Sequence, residues 1–119
     1  MVNIESSNVI LDGLTITSGY GGSDWVNGIY LYKLSSPALT NVKITNCVIR
    51  HLAKSNHKYV IEGIGFHGYF SDTEISYNEI RDFQATGSVY DININGPSNS
   101  APNNKVTTNA LVNLKSINH

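Results

Sequence analysis

Aliphatic side chains recur along the chain at one fixed internal offset. Four segments share it: residues 8–16 (NVILDGLTI), 41–49 (NVKITNCVI), 72–80 (DTEISYNEI) and 103–111 (NNKVTTNAL). Each opens on Asn or Asp, carries an aliphatic residue three positions on, and carries another five positions after that. The resulting pairs are Leu11/Ile16, Ile44/Ile49, Ile75/Ile80 and Val106/Leu111, and successive copies start 33, 31 and 31 residues apart. A unit this short cannot bury its apolar face alone and must stack on its neighbours, so the repeat decides the fold.

Between the copies lies a shorter element with strict alternation: Gly28–Tyr32 (GIYLY), Gly63–His67 (GIGFH) and Asp91–Asn95 (DININ). Period two means a strand with one buried face, here Ile29/Leu31, Ile64/Phe66 and Ile92/Ile94. The offset of five in the longer element breaks that parity and requires a bend. Asp12-Gly13, Thr45-Asn46, Tyr77-Asn78 and Thr108-Asn109 stand where it must fall, and Asn and Gly accept left-handed backbone angles. Each repeat therefore reads as three short strands separated by turns.

Helices do not fit, because no stretch sustains the i, i+3, i+4, i+7 pattern and β-branched residues fill the apolar positions. A sandwich of antiparallel hairpins would not demand four copies in one register. The pattern predicts an all-β chain, a short parallel β-helix (solenoid) of three to four coils with about 31–33 residues per coil. It forms one domain over residues 1–119, with units at approximately 8–40, 41–71 and 72–102 and a partial one at 103–119. Equivalent residues of neighbouring coils then lie ~4.8 Å apart, so each column buries like against like. In the column Leu14–Cys47–Asn78–Asn109 the last two members turn polar, and an inward Asn there reads as a ladder residue that bonds neighbouring backbone.

Composition agrees with this picture. Asn (15), Ser (13), Thr (8) and Gly (10) are abundant, and all four are turn formers and poor helix formers. Leu, Ile, Val and Phe make up 33 of the 119 residues, above the roughly one-fifth level below which chains tend to stay unfolded. Eight Lys/Arg against nine Asp/Glu give a net charge of −1 and no electrostatic footprint for nucleic acid or an anionic membrane. A single cysteine, Cys47, excludes an intramolecular disulfide and a Cys-rich zinc motif. No apolar run has the length of a membrane span, and Met1 does not open a signal peptide.

The run from Asn27 through Ile49 (NGIYL, then NVKITNCVI) and its echo from Gly63 through Ile80 (GIGFH, then DTEISYNEI) resemble the right-handed parallel β-helix repeat. Pectate-lyase-like proteins, mannuronan epimerases and phage tailspikes share that repeat. Ser7–Gly19 (SNVILDGLTITSG) resembles an opening coil of the alginate lyase and chondroitinase B family of polysaccharide lyases. The resemblance covers roughly residues 7–112. It implies a right-handed solenoid, a polysaccharide or oligosaccharide ligand, and an extracellular or phage-associated setting. It does not choose between binding module, lyase and epimerase, because one solenoid carries many functions. No catalytic residue is carried over: neither the acidic calcium ligands of pectate lyases nor the Lys/Arg pair of the alginate lyase family has a counterpart here. Members of that family usually have seven or more coils and an N-terminal cap. The few coils here imply a fragment, end-to-end or side-by-side solenoid contacts in a homo-oligomer, or capping by the chain's own termini.

The outward face of the alternating strand is the usual sugar groove of this fold. Its columns are Tyr30–Gly65–Asn93 and Tyr32–His67–Asn95, preceded by Asn27–Glu62–Tyr90. Rings stack on apolar sugar faces, and amides exchange hydrogen bonds with hydroxyls, so Tyr30, Tyr32, Asn93 and Asn95 are candidate binding residues. Glu62 and His67 are candidate acid and base, since sugar chemistry needs a titratable group within reach of the reacting atom. Outward Tyr and Asn also simply suit strands and turns. Loops lengthened on one solenoid edge are where function tends to be placed. Those here (17–27, 50–62 and 81–90) carry Tyr20, Trp25, His51, Lys54, His57, Lys58 and Tyr59. Trp25 is the candidate for sugar stacking, or else a buried loop anchor.

The column Thr17–Arg50–Arg81–Val112 stacks two arginines, which calls for an anion between them. A uronate carboxylate fits, and so do the protein's own Glu79 and Asp82. Lys43–Glu74–Lys105 alternates in sign and reads as a structural ladder. His51 and His57 lack the spacing of a zinc site, so no metal and no cofactor is expected.

Overall fold

The computed structural model describes residues 1–17, 25–50, 52, 60–85, 87–95 and 103–116, with the side chains of 84, 85 and 113–116 outside the description. Twelve strands follow one another among these residues, with no helix. They are β1 (Val2–Ile4), β2 (Val9–Asp12), β3 (Thr15–Thr17), β4 (Val26–Lys33), β5 (Leu39–Thr45) and β6 (Val48–Arg50). Then come β7 (Ile61–Gly68), β8 (Phe70–Ser76), β9 (Glu79–Ala85), β10 (Val89–Asn95), β11 (Lys105–Thr107) and β12 (Ala110–Ser116).

Every third strand pairs with the next of its kind. The three sheets run β1-β4-β7-β10, β2-β5-β8-β11 and β3-β6-β9-β12, each four-stranded. Every pairing is parallel. Three parallel sheets fed in rotation by consecutive strands are compatible with a β-helix. The columns read from the spacing are the observed ones: Leu11↔Ile44, Ile44↔Ile75 and Ile75↔Val106 in the second sheet. Ile16↔Ile49, Ile49↔Ile80 and Ile80↔Leu111 form the third-sheet column.

Those columns make the core. Ile29, Leu31, Ile44, Ile49, Ile64, Phe66, Ile75 and Ile80 are all fully or almost fully enclosed. Each such side chain contributes about 1.5–3 kcal/mol of burial free energy. Phe66 meets Phe70 edge-to-face at 5.6 Å, closing the corner between the first and second sheets.

The bends lie where the parity argument put them, and backbone angles give the reason. Gly13, Asn46, Tyr77 and Thr108, one per repeat, have φ of 77°, 53°, 57° and 55°. A second left-handed column is the opening residue of each copy: Asn8, Asn41, Asp72 and Asn103, at 62°, 57°, 51° and 59°. The sequence shows these Asn/Asp residues without showing that they too turn the chain. Their side chains also link repeats, Asn41 Nδ2 donating to Asn8 Oδ1 (2.9 Å) and Asn103 Nδ2 to Asp72 Oδ1 (3.0 Å).

The inward asparagines do bond their neighbours. Asn78 Oδ1 accepts from the Cys47 N–H (3.0 Å), and its Nδ2 donates to Ile44 O (3.1 Å) and Asn109 Oδ1 (3.0 Å). Asn109 repeats the pattern one layer on, accepting from the Asn78 N–H and donating to Ile75 O. Lys43 and Glu74 form an ion pair at 3.6 Å, and Lys105 is in register with Glu74, as the alternating ladder requires.

Candidate functional site

The site is built on the first sheet, where β4, β7 and β10 lie side by side. Alternation holds from Ile29 to Tyr32 and from Ile64 to His67, but it slips one residue earlier. A Cβ at Gly28 would fall 2.7 Å from Ile49 Cγ2 and 3.3 Å from Leu52 Cδ1, so Gly28 faces the core, as does the enclosed Ile29. Two consecutive inward positions throw the residue before them, Asn27 in β4 and Glu62 in β7, to the outer side. Glycine is required at this slip, because a Cβ at Gly28 or Gly63 would also sit 2.6 Å from a carbonyl oxygen of the next strand.

Glu62 therefore joins the outer face, yet it is not on the surface: its relative exposure is 0%. Gly65 explains this. It stands between Tyr30 and Asn93 in its column, and the space a side chain would occupy there is filled by Glu62 and His67. A Cβ at Gly65 would come within 3.1 Å of both Glu62 Oε1 and His67 Nε2. The Glu62 carboxylate faces His67 Nε2 at 3.1 and 3.3 Å, and Asn93 Nδ2 donates to it at 2.6 Å. A buried carboxylate must be paired and hydrogen-bonded, and these two neighbours supply that.

Around this pair the aromatic residues converge. Trp25 meets the His67 ring edge-on at 6.4 Å, and Tyr30 leans over it at 5.6 Å. Tyr30 and Tyr32 lie nearly parallel, 5.9 Å apart with 14° between their planes. Burial pushes the Tyr30 phenol above the ordinary value of 10.0, and Tyr32 and the Glu62 carboxylate add to the effect. The result is a groove of about 550 Å³ lined by Trp25, Tyr30, Tyr32, His67, Tyr90, Asn93 and Asn95. Trp25 and Tyr32 are about half exposed, at 50% and 53%, so both have ring surface to offer.

The sequence-derived candidates thus divide. Trp25, Tyr30, Tyr32, His67, Asn93 and Asn95 come together on one groove. Glu62 supports that groove from beneath, with no atom open to a ligand. Arg50 and Arg81 are in register with each other but belong to β6 and β9 of the third sheet, away from the first-sheet strands that form the groove. Arg81 is already satisfied by Glu79 (2.9 Å) and Asp82 (2.8 Å), which raise its pKa, chiefly through the Asp82 hydrogen bond. Tyr20, His51, Lys54, His57, Lys58 and Tyr59 lie outside the described residues.

One extension of the site was not legible in the spacing. β1 is three residues long, too short for a period to show, yet it places Asn3 beside Tyr30. With Ile4, Glu5, Tyr30 and Tyr32, Asn3 lines a smaller hollow of about 190 Å³ on the far side of the tyrosine stack.

Chemically, the groove offers ring faces, phenol hydroxyls, amides and one imidazole. Glu62 holds the Nε2 side of His67, so Nδ1 is the ring nitrogen left to accept a hydrogen bond or a proton. Among the described residues no three His, Cys, Asp or Glu side chains gather as a metal ion would need. No protein-family model matches the chain, and no curated protein or solved structure does either.

Proposed function

We propose that the chain is a right-handed parallel β-helix of three to four coils, and that the outer face of its first sheet binds a polysaccharide or oligosaccharide. The observation that carries this reading is the convergence of Trp25, Tyr30, Tyr32 and Tyr90 with Asn93 and Asn95 on one open groove. Amphipathic rings with exposed faces suit the apolar faces of sugars, and amides suit their hydroxyls. The pectate-lyase-like proteins that the repeat resembles use the same kind of face. Affinity electrophoresis through gels containing a panel of glycans tests it: one glycan should retard the chain, and Trp25→Ala and Tyr32→Ala should each abolish the retardation. Unchanged mobility of both variants in the retarding glycan would place the contact elsewhere.

A second reading rests on the opposite feature, the end of the stack at β10, β11 and β12. There the column members Ile94, Val106 and Leu111 are exposed around a hollow of about 420 Å³, whereas their counterparts Phe66, Ile75 and Ile80 are buried. Edge strands with exposed apolar residues pair readily with other chains. On this reading the chain is an assembly module that stacks end to end. Sedimentation that depends on concentration, with no glycan retarding the chain, would favour it over the first.

A further inference from the structure

The groove's polarity points to a class of sugar. Among the described residues that line it none is Lys or Arg. Its charged neighbour is the wholly enclosed Glu62 carboxylate, which the solvent screens far less than a surface charge. The hollow beyond the tyrosine stack adds an exposed carboxylate, Glu5. A glycan lying across both hollows would meet one exposed carboxylate, lie over a second that is enclosed and, among the described lining residues, meet no Lys or Arg.

Hydrogen-bond polarity runs the same way. Glu62 takes the Nε2–H of His67 and an Nδ2–H of Asn93, drawing donors inward from both. In the neutral imidazole the remaining nitrogen, Nδ1, then carries a lone pair, and Asn93 keeps its Oδ1. Both are acceptors without a partner among the described residues. Acceptors suit sugar hydroxyls and repel a carboxylate. The two arginines that could have met a uronate stand on the third sheet, and Arg81 is occupied by Glu79 and Asp82.

We infer that the groove takes an uncharged, hydroxyl-rich glycan and rejects uronates, with Glu62 as the positioning residue that sets this preference through His67 and Asn93. The inference rests on the glycan-binding reading above and adds the class of sugar. It departs from the acidic polysaccharides that the resemblance to alginate and chondroitin lyases would suggest.

Matched pairs of oligosaccharides test it: homogalacturonan, alginate and glucuronan fragments, each in native form and after chemical reduction of the carboxyl groups. Each pair keeps its linkages and ring stereochemistry and differs only in carrying a neutral hydroxymethyl group where the native member has a carboxylate. Titration calorimetry at low salt and pH 8 should show a reduced member bound at least about tenfold more tightly than its native partner. In Glu62→Gln that ratio should collapse toward one, whereas a merely structural role for Glu62 would weaken both members equally and leave the ratio unchanged. Equal or tighter binding of a native uronate overturns the inference and leaves glycan binding intact. If no member of any pair binds, and the neutral glycans of the panel fail as well, the reading beneath falls with it. Should Glu62→Gln fail to fold, as judged by circular dichroism, the comparison on the unaltered chain still decides the class of sugar, and Glu5→Gln, an exposed position, should narrow the ratio on its own.

Discussion

Glu62 lies beneath His67, its carboxylate 3.1 Å from Nε2 and fully enclosed, in space that Gly65 leaves empty. The pair occupies the middle of the groove, and both flanking columns depend on it: Asn93 bonds the carboxylate, and Tyr30 and Trp25 rest against the imidazole.

The glycine is thus part of the site. In Gly65→Ala the new methyl group would press on Glu62 and His67 at 3.1 Å each. Overpacking of this kind costs about 1–3 kcal/mol. The expected outcome is a modest fall in melting temperature together with loss of glycan retardation. A variant that melts and binds like the parent would show that the pair has room to spare.

Asn78 sits in the core at 2% exposure and ties three layers together. Asn78→Ala leaves the Cys47 N–H and the Ile44 carbonyl unpaired in an apolar interior, at about 1–3 kcal/mol per group. Urea denaturation should show a midpoint lowered by about 3 kcal/mol equivalent at unchanged slope. A change within experimental error would contradict the ladder.

Tyr77 and Thr108 hold left-handed angles in a column where the other two repeats place Gly13 and Asn46. A bulky or β-branched residue in that region carries strain of about 1 kcal/mol. Tyr77 is exposed, so Tyr77→Asn removes the strain with little loss of packing. Its melting temperature should rise by roughly 4 °C. A fall would mean that the ring makes contacts worth more than the strain.

The Tyr30 phenol has its pKa raised in the folded chain, first by burial, then by Tyr32 and Glu62. A group whose folded pKa lies above its unfolded value contributes stability that is complete below the unfolded value and lost as pH rises through the folded one. Stability should therefore decline more steeply above pH 10.0 in the parent than in Tyr30→Phe. Phenolate absorbance in the parent should show one tyrosine ionising late, and that late step should vanish in the variant.

Much of the architecture could be read from the chain because two periods coexist in it. The offset of five between Ile44 and Ile49 can be met only by a bend, and the alternation of Ile29 and Leu31 only by a strand. Recurrence of both at about 31 residues fixes which segment lies over which. The site was less legible for a local reason: the slip at Gly28 and Gly63 reverses the parity one residue before the alternating run. Strict alternation carried back from Ile64 would put Glu62 on the core side; the slip returns it to the outer face, where Gly65 leaves it room to lie enclosed under His67. Sequence shows that Gly65 lacks a side chain but not which neighbour takes its place. The arginine column was correctly placed in register, yet which sheet faces the groove depends on the order of strands around the stack, and that emerges only in three dimensions.

The most direct test of the account is an amide and indole NMR titration of the ¹⁵N-labelled chain with the uncharged oligosaccharide it binds best. The account predicts shift changes at the Trp25 indole and along β4, β7 and β10 around Tyr30, His67 and Asn93, with β6 and β9 at Arg50 and Arg81 unmoved. Saturable changes confined to the arginine sheet, or to the exposed end at Val106 and Leu111, would contradict it.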